Sequence, residues 1–133
     1  MKKRFSLILL TIFLTACNPI EDSDIVIEQN EITANPDKFE AFIGNLENGK
    51  QDSIRIVRST TEGDPIFETL NYDGQIITYV YDNSYDQYGG TNKGIQRGIC
   101  ENLENETSET GIVYRLSGCS SEVGKYFELE VLE

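Results

Sequence analysis

The sequence predicts a single α+β domain in which one N-terminal amphipathic helix packs on an antiparallel sheet of five to six strands. Three observations favour this fold class: one stretch with helical apolar spacing, several alternating stretches typical of strands, and two cysteines placed to fix a hairpin. The 133 residues suffice for one domain. We expect it to span residues 35–133, after a signal peptide (1–16) and an acylated cysteine with an acidic linker (17–34).

The first residues have the pattern of a lipoprotein signal peptide. Residues 2–4 are basic and precede an apolar run that is too short for a transmembrane helix. The run closes with Leu14-Thr15-Ala16-Cys17, which resembles the lipobox of bacterial lipoproteins. We expect Cys17 to carry a diacylglycerol thioether and acyl chains such as palmitate, which would hold the protein on the outer side of the cell membrane. An ordinary cleaved signal that happens to end near a cysteine is the alternative.

Residues 18–34 contain five acidic residues and no basic one. Self-repulsion and the lack of a core-forming pattern predict an extended linker. The run Ile25-Val26-Ile27 leaves open a second interpretation, a short strand that docks on the body.

The helix is predicted to begin at Asn35-Pro36-Asp37, where a capping residue is followed by proline and an acid. Asn48-Gly49 provides the end of the helix. Between them the apolar residues recur at i, i+3, i+4 and i+7 and form one stripe for the core: Phe39, Phe42, Ile43 and Leu46.

The rest of the body is predicted to form strands. Residues 54–60 are rich in β-branched side chains, and residues 66–72 and 75–81 flank Asp73-Gly74, a strong signal for a hairpin with positive φ at both central residues. Residues 126–132 alternate apolar and acidic positions.

A second hairpin follows from the two remaining cysteines, Cys100 and Cys119, which lie in an oxidising compartment if the protein is exported. If residues 94–106 pair with residues 112–120, the two cysteines lie opposite each other. The same register satisfies polarity and charge, because it pairs Glu104 with Arg115 and Leu103 with Leu116. We therefore expect a structural disulfide.

Composition excludes several functions. The formal charge of −12 and pI near 4.3 argue against a nucleic-acid partner, since phosphates require a basic surface. The chain has no histidine and no phosphate-binding glycine motif, so we expect neither a catalytic site nor a cofactor.

Two loops are candidate binding sites. Residues 60–65 carry Glu62 and Asp64 and are either an ordinary turn or an acidic loop for a basic partner or a cation. Residues 82–90 place oxygen side chains at alternate positions, as calcium loops do, but lack the glycine and the glutamate of an EF-hand. The weak metal candidates are therefore Asp82, Ser84 and Asp86.

The second loop also contains Tyr85 and Tyr88 among glycine, serine and asparagine, a composition typical of adaptable recognition surfaces. A solvated turn is the alternative interpretation of this loop.

Several strings in the body resemble the domain of unknown function DUF4362: residues 54–58, Thr61 to Ile66, Tyr72-Asp73-Gly74, Tyr81-Asp82-Asn83, Asp86 and Gly89. The resemblance covers roughly residues 35–131 and implies a small lipoprotein on the surface of a Gram-positive cell, with no known activity or ligand.

We therefore expect a binding or interaction module at the cell envelope. Its partners would be the lipid bilayer, through acylated Cys17, and an unknown envelope protein. The alternatives are a cation-binding, calcium-type or sensory domain, and an accessory or inhibitory subunit of a larger envelope protein.

Overall fold

The structure, a computed structural model, describes residues 19–133. Within that range nine strands form two sheets beside one α-helix, α1 (Pro36–Glu47). The larger sheet contains β1 (Ile25–Glu28), β2 (Glu31–Ala34), β3 (Asp52–Ser59), β4 (Pro65–Tyr72), β5 (Ile77–Asp82) and β6 (Ile95–Cys100). The smaller sheet contains β7 (Asn102–Thr107), β8 (Gly111–Ser117) and β9 (Glu128–Leu132).

The predicted fold class is wrong in its architecture. The larger sheet has the order β2-β1-β3-β4-β5-β6, and β1 pairs with β3 in parallel, so the sheet is mixed rather than antiparallel. Strands β1 and β2 precede α1, so the helix is not N-terminal. The protein is α+β but dominated by two sheets. Two of the nine strands, β1 and β2, lie in residues 18–34, which the sequence pattern predicted as a linker.

The extended linker predicted before residue 35 is corrected by these same strands. Ile25 and Ile27 of β1 are buried, and β1 lies between β2 and β3 in the sheet. Its stabilising partners are remote in sequence, since Ile25 pairs with Ile56. A local pattern of acidic residues could not show this pairing.

Helix α1 forms where its apolar stripe predicts, with Phe39 and Phe42 buried against the sheet. Its N-terminus differs in detail. Asn35 has a left-handed backbone (φ 55°) and makes no side-chain cap. Its Nδ2 instead donates hydrogen bonds to the carbonyls of Asp22 and Asp24, at 2.9 and 2.7 Å, and thereby holds the N-terminal segment.

The turn between β4 and β5 also differs from the prediction. It has four residues, 73–76, and among its residues Gly74 alone has positive φ. The Asp73 carboxylate accepts hydrogen bonds from the amides of Gln75 and Ile76. These two bonds lower the pKa of Asp73.

The cysteine hairpin forms in the predicted register. Glu104 pairs with Arg115 and Leu103 with Leu116, and Cys100 is joined to Cys119 by a disulfide. The hairpin does not extend along β6, which belongs to the other sheet. A short 3₁₀ helix (Glu122–Tyr126) packs on β6 at Gly98 instead. The approach is so close that a Cβ at position 98 would lie 2.8 Å from the Ser121 hydroxyl and 3.0 Å from Val123.

Alternation along the strands gives the larger sheet two distinct faces. The inner face packs against α1 and the smaller sheet and carries the core, which includes Ile56, Leu70 and Tyr79. The residues that alternate with these core positions point to the outer face. There, residues that lie opposite each other on neighbouring strands form rows across the sheet. One row contains Val26, Val57, Phe67, Asp82 and Ile95, and the next contains Arg55, Thr69, Val80 and Arg97.

Candidate functional site

The loop that follows β5 lies against the outer face and carries two exposed tyrosine side chains. Phe67 on β4 is only 5% exposed, because the ring of Tyr85 packs against it edge-on with the centroids 5.5 Å apart. Tyr85 itself remains 50% exposed and Tyr88 is 72% exposed. We call residues 83–94 the tyrosine loop. The tyrosine loop therefore covers Phe67 of β4 with Tyr85 and exposes the rings of both Tyr85 and Tyr88 to solvent.

The tyrosine loop is held in one conformation by hydrogen bonds at several points. The Asp64 carboxylate, from the preceding acidic loop, accepts a hydrogen bond from the Gln87 amide at 3.0 Å. Asn83 closes the base of the loop, because its amide donates to the Gly94 carbonyl and its side-chain oxygen accepts from the Gly94 amide. The two loops that the sequence marked separately thus form one surface.

The carboxylates predicted as metal candidates act as turn acceptors. Asp82 accepts hydrogen bonds from the amide and the hydroxyl of Ser84, and Asp86 accepts from the Tyr88 amide. Glu62 is exposed and accepts from its neighbour Thr61. Across residues 19–133 no three acidic, cysteine or histidine side chains come together in a way that could hold a metal ion. The geometry gives the calcium interpretation no support.

A buried ion pair on the same face was missed from the sequence. Asp24 is 1% exposed and receives two hydrogen bonds of 2.7 Å from Nε and Nη2 of Arg55. Nη2 also donates to the Pro19 carbonyl at 3.1 Å, and the guanidinium lies 4.6 Å from the centre of the Phe67 ring. Hydrogen bonding to Asp24 raises the pKa of Arg55. This arginine therefore ties the N-terminal segment to the aromatic surface.

A polar cleft of about 300 Å³ lies beside this pair. Lys38 and Arg55 line it together with the hydroxyls of Ser23, Ser53 and Thr69, a set that could in principle hold a small anion. Both cations already have partners, however, since Lys38 Nζ donates to the Ser23 carbonyl and Arg55 is paired with Asp24. The cleft is thus largely neutralised by its own residues.

The inner face has its own buried charge, which is a core feature. Glu68 is 1% exposed and accepts hydrogen bonds from Arg58 Nε at 2.5 Å and from the Tyr79 hydroxyl at 2.6 Å. Burial raises the pKa of the Tyr79 phenol, and the Glu68 carboxylate raises it further. Arg58 Nη2 also donates a hydrogen bond to the Glu128 carbonyl of β9 and so joins the two sheets. The Glu68 carboxylate is bonded to both Arg58 and Tyr79, so we attribute this network to packing between the two sheets.

Apolar side chains extend the outer surface beyond the tyrosine loop. Ile95 and Ile99 of β6 are 58% and 48% exposed, and both lie on the outer face, opposite Asp82 and Thr78. The pairing of β6 with β5 places Ile99 on this outer face, although the next residue, Cys100, is fully buried.

The acylation site and the signal peptide lie outside the described residues, since Cys17 precedes residue 19. Their prediction therefore rests on the sequence. Between residues 19 and 133, no helix is long and apolar enough to cross a bilayer.

These features define a small, sheet-rich α+β domain with one disulfide and an aromatic outer surface. The chain belongs to the family described as a domain of unknown function (DUF4362), whose family model matches residues 22–115. None of the curated proteins and none of the solved structures matches the chain. The matched range begins at residue 22, earlier than the resemblance suggested, so it includes β1, β2 and the Asp24–Arg55 pair.

Proposed function

We propose that this chain is a membrane-anchored extracytoplasmic lipoprotein, acylated at Cys17, that acts as a binding module at the cell envelope. The sequence of residues 1–17 supports the anchor, and the acidic composition without histidine favours binding over catalysis. In this proposal the domain has no resident cofactor.

The observation that carries the binding role is the exposure of Tyr85 and Tyr88 on a fixed loop. Tyrosine rings offer a large amphipathic contact area with little side-chain entropy to lose, which suits them to recognition. Hydrogen bonds of the loop to Asp64 and Asn83 should lower that cost further, because they restrict the conformations open to the loop before binding.

The anchor is tested by metabolic labelling with an alkyne fatty acid. The wild-type protein should take up the label and fractionate with membranes, and Cys17→Ser should lose both properties. The matched control is the double variant Cys100→Ser/Cys119→Ser, which removes the other two cysteines, joined in the disulfide, and should keep the label. Equal labelling of the wild type and Cys17→Ser would contradict the anchor.

The binding surface is tested by placing a photoreactive phenylalanine at Tyr88 in intact cells. A discrete adduct, with protein or lipid, is expected from this position. Tyr126 is the control, because it is 53% exposed but packs its ring on Tyr81, whose side chain lies on the inner face of the sheet. The same adducts from both positions would contradict a dedicated outer surface.

A further inference from the structure

We propose that the outer surface binds the lipid bilayer itself, so that the domain lies with its tyrosine loop against the membrane that carries its anchor. This inference rests on the proposed acylation of Cys17, and it names the partner of the surface described above.

The first step of the argument is the short distance between anchor and body. Pro19 is already fixed to the domain, because its carbonyl accepts a hydrogen bond from Arg55 at 3.1 Å. A single residue separates Pro19 from Cys17. Since consecutive Cα atoms are about 3.8 Å apart, these two positions lie at most about 7–8 Å from each other. A diacylated Cys17 therefore brings the bilayer surface close to Pro19.

The second step is the position of Pro19 relative to the tyrosine loop. The Arg55 side chain that binds Pro19 lies 4.6 Å from the centre of the Phe67 ring, and that ring is 5.5 Å from the ring of Tyr85. The chain thus reaches its attachment point on the outer face, next to the exposed phenols. A bilayer near Pro19 is also near Tyr85.

The third step is the distribution of exposed apolar groups. Six large hydrophobic side chains are exposed among residues 19–133, and four of them belong to the outer face or its loop: Tyr85, Tyr88, Ile95 and Ile99. Tyrosine prefers the interface between lipid and water, where its ring contacts acyl chains and its hydroxyl stays hydrated. The surface beside the anchor therefore has the composition of a membrane-interface patch.

Charge determines what kind of bilayer this surface fits. The tyrosine loop and the outer face carry Lys93 and Arg97 together with Asp82 and Asp86, and Glu21 lies 3.6 Å from Arg55. The whole chain has a formal charge of −12. Electrostatic attraction to anionic lipid is thus not the driving force. We expect docking through aromatic and apolar contact that persists in zwitterionic membranes and is insensitive to salt.

The experiment uses the absence of tryptophan from the chain to place a single reporter. Tyr88→Trp and the control Tyr126→Trp are purified as full acylated proteins and reconstituted in phosphatidylcholine vesicles with brominated acyl chains. Relative to unbrominated vesicles, the Tyr88→Trp emission should lose intensity, and it should be blue-shifted relative to detergent. The Tyr126→Trp emission should show neither change. Both positions are exposed, so circular dichroism should confirm that both variants fold.

Equal quenching at the two positions, or none at position 88, would overturn the docking. Mass spectrometry of the same samples distinguishes the two proposals. An acylated Cys17 with unquenched Tyr88→Trp would overturn the orientation and leave the anchor standing, and a protein adduct from position 88 would then identify a protein partner. An unmodified Cys17 would overturn the anchor and, with it, the docking.

Discussion

Arg55 and Arg58 both belong to β3 and both pair with a carboxylate that is 1% exposed, but they lie on opposite faces of the sheet and hold different parts of the molecule. Arg58 pairs with Glu68 on the neighbouring strand and reaches β9, so its network joins the two sheets through the core. Arg55 pairs with Asp24, 31 positions earlier, and fixes the N-terminal segment on the surface.

This comparison shows that burial of a carboxylate does not by itself determine its role. Removing the Glu68 carboxylate leaves the hydroxyl of the buried Tyr79 without its acceptor and Arg58 without its ion-pair partner. Removing the Asp24 carboxylate leaves the segment held by Asn35 and Lys38, which donate to its backbone carbonyls, and Arg55 loses its ion-pair partner at the surface. The first loss should be global and the second largely local.

The strongest test is Glu68→Ala. Because the Arg58 side chain is 27% exposed, the loss should be smaller than the about 3–5 kcal/mol typical of a fully buried pair. The buried Tyr79 hydroxyl also loses its acceptor, and we expect a total of about 2–3 kcal/mol. Urea denaturation should show this loss in the free energy of unfolding. The matched control is Glu128→Ala, which removes an exposed carboxylate from its ion pair with Arg115 and should cost less than about 1 kcal/mol. Equal losses in the two variants would contradict the distinction.

Asp24→Ala tests the outer pair and should have a smaller effect on unfolding. We expect a loss of about 1–2 kcal/mol, since hydrogen bonds to a charged group are removed but Arg55 can become hydrated. Cleavage after Glu21 by a glutamate-specific protease should become faster than in Glu68→Ala under folding conditions, because the Glu21 amide and Arg55 both lose their hydrogen bonds to Asp24. Unchanged cleavage after Glu21 would show that Arg55 does not hold the segment.

Alkaline pH should weaken the inner network selectively. The pKa of Tyr79 is raised in the folded protein above its ordinary value near 10, so above about pH 10 the unfolded state releases a proton that the folded state retains. The free energy of unfolding should therefore fall as pH rises, by up to about 1.4 kcal/mol per pH unit for this group. Burial raises the pKa of Tyr81 and Tyr114 in the same direction.

Tyr79→Phe isolates the contribution of Tyr79. It should reduce the slope of stability against pH above pH 10. An unchanged slope in Tyr79→Phe would mean that its phenol does not titrate with unfolding.

The sequence predicted those elements whose signals are local or mutually constraining. Helix α1 follows from one apolar stripe, and the register of β7 with β8 follows from polarity, charge and cysteines that agree. The extended linker expected for residues 18–34 was wrong because the pairing of β1 with β3 is parallel and distant, and its flanking acids resemble a linker. The alternative of a short strand at Ile25-Val26-Ile27 is confirmed. The division into two sheets depends on the packing of residues 122–126 against β6, which no pattern in either segment shows.

For the candidate site, too, the local features were predicted and the contacts between distant residues were not. The exposure of Tyr85 and Tyr88 follows from the composition of their loop. The contact of Asp64 with Gln87 spans 23 positions and that of Asp24 with Arg55 spans 31, so neither partner is visible from the residue types alone. The aspartates that resembled metal ligands have an equally good use in turns, and spacing cannot distinguish the two.

The place of β1 in the sheet has a mechanical consequence. Its neighbours are β2 on one side and β3 on the other, so β1 is an interior strand although it is the first strand within residues 19–133. A pulling force applied at the N-terminus acts along β1 and must break two ladders of hydrogen bonds, after first detaching the Asp24–Arg55 pair. The force needed to unfold the domain from this end should therefore be high, because β1 cannot be peeled from an edge and the sheet must break on both sides of it.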